Sequence, residues 1–168
     1  MKQNHKENLP LKNRVFWFIL LSLFGAVMVI TMLKDLWLTG ERPNIWFSLF
    51  VPILSILGGV LCMFGAGKIF KQSVSFLTLL AISLGANTIM QVVENITKIT
   101  YYKLWEYPGI LYVILVIPLG FLLIVAGLMR WGKIKFWNAL LFALVDMVGS
   151  IVVGSILTDV IGLTTPGS

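Results

Sequence analysis

Five apolar runs, at residues 15–33, 45–64, 74–93, 109–129 and 136–163, fill most of this 168-residue chain, with short polar segments between them. Each is close to or above the roughly 20 residues that cross a hydrocarbon core of about 30 Å at about 1.5 Å per residue. With no water there to meet backbone N–H and C=O groups, a run of this kind satisfies them by coiling into a helix. The expected fold is therefore all-α, a polytopic bundle of five transmembrane helices. One membrane domain, residues 15–163, is flanked by a polar tail, 1–14, and a short tail, 164–168.

Composition agrees. Hydrophobic residues make up 58% of the chain and charged residues 12%, with a mean hydropathy of +0.95; soluble domains carry about 25% charged residues. A formal charge of +6 would suggest nucleic acid in a soluble chain, but the basic residues lie between apolar runs, where membrane orientation accounts for them. Nucleic acid is not an expected partner; the lipid bilayer is. The basic start and first apolar run resemble a signal peptide only in outline. That run exceeds the usual core of about 7 to 15 residues, and Lys34-Asp35-Leu36-Trp37 after it lacks a small-residue cleavage site. Cys62, the single cysteine, permits no internal disulfide.

Five crossings imply a sidedness. With the amino terminus cytoplasmic and the carboxyl terminus outside, nine Lys and Arg residues lie inside (Lys2, Lys6, Lys12, Arg14, Lys68, Lys71, Arg130, Lys133 and Lys135) and four outside (Lys34, Arg42, Lys98 and Lys103). Trp17, Trp131 and Trp137 fall at the inner boundary and Trp37, Trp46 and Trp105 at the outer one, as amphipathic rings at headgroup level should. A plasma or inner membrane is the expected location. The outer segment 94–107, rich in Tyr and Trp, should lie on the membrane surface beyond an extended third helix.

Polar residues within the spans carry the functional expectation. Asp146 stands inside the last run, and an acid at such a depth costs about 2.5 to 3.5 kcal/mol on insertion scales, so it calls for a partner or a role. Ser150, Gly154, Thr158 and Gly162 follow it at intervals of four and form a small-residue ridge suited to helix packing. Ser55, Gly59 and Cys62 give the second run a similar face. In the third run Ser83, Asn87, Gln91 and Asn95 also recur every four residues, with Glu94 alongside. Counting from the inner ends, Ser83 and Asp146 lie at about the same depth, roughly 14 and 15 Å. The third and fifth helices are thus expected to pack together, with Ser83 or Asn87 bonding Asp146. Asp146, Asn87, Gln91, Ser83 and Glu94 form the candidate intramembrane site. Pro118 should kink the fourth helix, since it removes a donor and crowds the Ile114 carbonyl.

Enzyme chemistry finds little support. His5 is the sole histidine and lies in the tail, so no catalytic residues, metal site or cofactor are expected. Asp146 and Asp159 are roughly 20 Å apart along one helix and cannot share a proton. Two classes remain, with a membrane-embedded lipid-modifying enzyme trailing. The first is a non-enzymatic membrane component (a subunit, assembly or protective factor) acting through helix contacts with a second copy or a partner membrane protein. The second is a small-solute or ion transporter or channel unit with its polar site between the third and fifth helices. A wet cavity reaching Asp146 favours the second; dry helices with a free small-residue groove favour the first.

Overall fold

The computed structural model describes residues 13–40, 46–100 and 112–164. The tail with His5, the aromatic residues Tyr101, Tyr102, Trp105 and Tyr107, and the last four residues lie outside them. The described chain is all-α. Its five helices are α1 (Arg14–Thr39), α2 (Val51–Ile69), α3 (Phe76–Thr100), α4 (Ile117–Arg130) and α5 (Phe136–Thr164). Four contain stretches long and apolar enough to cross a membrane: Arg14–Trp37, Ser48–Ile69, Phe76–Lys98 and Phe136–Val160. The remaining apolar segment, Ile114–Arg130, is shorter.

Local chemistry sets the ends. Asn13 caps α1 by accepting the Val15 N–H at 2.9 Å. Gly40 closes it in the left-handed conformation (φ 70°), its N–H bonding the Leu36 carbonyl. The first helix thus continues past residue 33 through Lys34 and Asp35, which the sequence reading assigns to an outer connection. Lys34 is buried there and bonded to Asn95 of α3. Ser75 caps α3 by accepting the Thr78 N–H. At the end of α2, Lys71 takes φ 54°, and the Gln72 N–H bonds the Gly67 carbonyl at 2.8 Å, an end motif usually built on glycine.

Both prolines inside apolar runs sit just after a wide turn. Single π-helical turns at Trp46–Phe50 and Tyr112–Val116 lead directly into α2 and α4, and Pro52 and Pro118 occupy the second position of each helix. A proline has no N–H for the carbonyl four residues back and its ring crowds that carbonyl, so the widened turn relieves both problems. The expected disturbance at Pro118 takes this form.

The helices fall into two kinds of contact. α2 and α5 pack most intimately, while α3 touches α1, α2 and α4, and α4 also packs on α5. Glycines permit the closest approaches. A Cβ on Gly58 would stand 2.5 Å from a Val153 methyl carbon, one on Gly149 2.7 Å from Cys62 Sγ, and one on Gly154 2.9 Å from Ser55 Oγ. Gly120 and Gly127 do the same for α4 against Met90 and Ile82 of α3. The centre is filled by Met28, Val60, Met63, Leu79, Leu128 and Phe142, all nearly inaccessible. Around it the surface is apolar: Phe18, Ile69, Leu122, Ile151 and Val160 stand exposed, as side chains solvated by lipid do.

Candidate functional site

Asp146 is carried in the middle of α5, where glycine packing brings α2 close. It is only 2% exposed. Ser83 Oγ of α3 donates a hydrogen bond to its Oδ1 at 3.2 Å. On the α2 side a Cβ at Gly59 would meet Asp146 Oδ1 at 2.5 Å and Ser150 Oγ at 2.3 Å, so only a glycine leaves room for the carboxyl and the hydroxyl together. The pairing of α3 with α5 is therefore made by a side-chain bridge; the closest backbone approach of α5 is to α2 instead.

Asn87, one turn above Ser83, donates its amide Nδ2 to the Ser83 carbonyl at 2.9 Å. It also lines a cleft of about 370 Å³ between α3, α4 and α5. Asp146 and Ser150 are among the residues of this wall, as are the apolar Met90, Ile117, Phe121 and Ile124. Ser150 Oγ is buried and has no hydrogen-bond partner among the described residues. No ion pair involves Asp146 among them, and no cluster of three His, Cys, Asp or Glu gathers there to hold a metal.

Gln91 and Glu94 belong elsewhere. Glu94 pairs with Lys98 one turn on along α3. Gln91 faces α1, where its Oε1 lies 3.5 Å from Thr31 Oγ1. Gln91 joins a second polar group. Lys34 Nζ donates to Asn95 Oδ1 at 3.0 Å and pairs with Asp35 at 3.1 Å, while Asn95 Nδ2 donates to Thr31 Oγ1 at 2.8 Å. The four-residue spacing of Gln91 and Asn95, set against Thr31 and Lys34 at similar depth on α1, was the available signal. The five candidate residues thus separate. Asn87 and Asp146 line the cleft with Ser83 buried between them and bonded to both, whereas Gln91 lies at the α1–α3 contact and Glu94 pairs along α3.

The ridge of α5 is mostly turned inward. Ser150 and Gly154 contact Gly59 and Ser55 of α2. Thr158 is exposed, with its hydroxyl bonded back to the Gly154 carbonyl at 2.9 Å. Gly162 lies in α5, and nothing about its surroundings is described.

Fold and surface together define a small all-α membrane protein with a buried carboxyl beside an intramembrane cleft. No protein-family model, curated protein or solved structure matches the chain.

Proposed function

We propose that this chain is a non-enzymatic membrane protein that holds a small ligand in the cleft between α3, α4 and α5, with Asp146 and Asn87 as its polar contacts. One observation carries the reading: Asp146, buried against α2 and α3, also lines the cleft, together with Asn87. A cleft of about 370 Å³, mostly apolar and carrying a few convergent polar groups, has the size and character of a small-molecule site. The ridges that would otherwise bind a partner are largely occupied within the bundle, where α2 and α5 interlock.

A scaffold reading retains one specific feature. The far end of the ridge, with exposed Thr158 and Asp159, is free to meet a second copy or another membrane protein. The transport reading needs a path from Asp146 toward Gln91 and Glu94, and those residues have their own partners on α1 and α3.

The test is retention of a small molecule by the folded protein. Ile151 lines the cleft at its rim and is 55% exposed, so Ile151→Trp should fill the space without disturbing the core. Native mass spectrometry of protein purified in mild detergent from native membranes should show a bound species on the wild type that Ile151→Trp lacks. The same adduct on both, or none on the folded wild type, rejects the proposal.

A further inference from the structure

We infer that the ligand of this cleft is an organic amine in its ammonium form with an apolar body, an assignment that rests on the cleft being a ligand site. The polar corner of the cleft leaves hydrogen-bonding capacity unmet. Ser83 spends its hydroxyl proton on Asp146 Oδ1, and Asn87 spends an amide N–H on the Ser83 carbonyl. Among the described residues no donor meets Asp146 Oδ2 or Asn87 Oδ1. A carboxylate group accepts through both oxygens, and an amide oxygen accepts only. The acid and the amide oxygen are therefore open acceptors, beside the Ser150 hydroxyl and the second Asn87 N–H, and no Lys or Arg among the described residues pairs with the acid.

An occupant complementary to this corner brings donors and positive charge. A primary ammonium brings three N–H groups and a positive charge on one compact cation, the complement of an acid with an open oxygen. A carboxylate or phosphate would set acceptor against acceptor and negative charge against the acid. An alcohol supplies one donor and no charge. Beyond the corner, Met90, Ile117, Phe121, Ile124 and Met147 form a wall suited to an alkyl or aryl body. The ammonium could enter as a long-chain amine dissolved in the bilayer or as a shorter hydrophobic amine from water; the recognising chemistry is the same.

Thermal unfolding of the whole chain in phosphatidylcholine nanodiscs, titrated with octylamine, octanol or octanoate, measures the apparent Kd of each through ligand stabilisation. Octylamine should bind at least tenfold more tightly than octanol, with octanoate weakest. Asp146→Asn keeps an acceptor for Ser83 and should bring octylamine to the level of octanol. Octadecylamine carried in the nanodisc lipid should compete with octylamine if the bilayer is the source. If only the water-borne amine occupies the site, the class still stands and its source is assigned to water. Equal binding of all three probes, each abolished by Ile151→Trp, overturns the ammonium class and leaves the cleft as a ligand site. Octylamine binding that survives Ile151→Trp, or no octylamine binding to the folded wild type, overturns the assignment at the level of the cleft itself.

Discussion

The α2–α5 and α1–α3 contacts join their helices by opposite means. Between α2 and α5 the interface is made of absent side chains: Gly58, Gly59, Gly149 and Gly154 let the backbones approach until Val153, Asp146, Cys62 and Ser55 touch the opposing chain. Between α1 and α3 the ties are side chains with polar ends, as Lys34, Asn95, Thr31 and Gln91 bond across the gap. Toward the other end of these helices, Trp17, Leu21, Phe24, Leu77, Leu80 and Leu84, with residues of α2, surround an almost wholly apolar space of about 460 Å³. Close packing needs small residues along the whole contact, whereas a few hydrogen bonds can pin one end and leave the other open. In lipid, where helix association gains little from the hydrophobic effect, both strategies are available.

The comparison can be broken most readily at Gly59. Gly59→Val places carbon where Asp146 Oδ1, Ser150 Oγ and the Asp146 carbonyl already lie, the last 2.8 Å from a Cβ. Overpacking against backbone should cost about 3 kcal/mol, measured by reversible unfolding in mixed micelles. A loss under about 1 kcal/mol would show that α2 and α5 can separate without penalty, contrary to the interlocking described here. At the other interface, a double-mutant cycle of Thr31→Val with Asn95→Leu should give a coupling of about 0.6 to 1.7 kcal/mol, the range of interhelical hydrogen bonds in membranes. Zero coupling would mean that the α1–α3 contact is held by its apolar residues. The smallest effect sharpens the distinction. Ser150→Ala removes a hydroxyl with no partner among the described residues, so stability should stay within about 0.5 kcal/mol or rise. A loss above about 1 kcal/mol would indicate that the ridge is held by polarity as well as by small size.

The spans were readable because each follows from length and hydropathy alone. The fifth, expected over 136–163, is observed at Phe136–Thr164. The first, expected to end at residue 33, continues to Thr39: a Lys-Asp pair marks a membrane boundary unless a neighbouring helix shelters the charge, and Asn95 lies 61 positions away. Within the candidate site, depth matching linked Ser83 to Asp146 correctly, since both helices start from the same face and rise equally per residue. Depth says nothing about rotation about the helix axis. Gln91 and Asn87 differ by one turn and were grouped, yet Gln91 lies against Thr31 of α1 and Asn87 lines the cleft. The small faces of α2 and α5 were each visible, but their mutual fit was not.

What the amino-acid order determined by itself is the set of rods: their composition, their approximate ends and the presence of one acid within a long apolar segment, all consequences of short-range backbone satisfaction in hydrocarbon. Which rods touch was decided only in three dimensions. A side chain's neighbours depend on the azimuth and spacing of helices far apart in sequence, and those are set by how glycine gaps and bulky side chains interlock over the whole bundle. For that reason the acid could be found in the sequence, whereas Gly59 beneath it, Ser83 bonded to it and the cleft beside it belong to the tertiary structure.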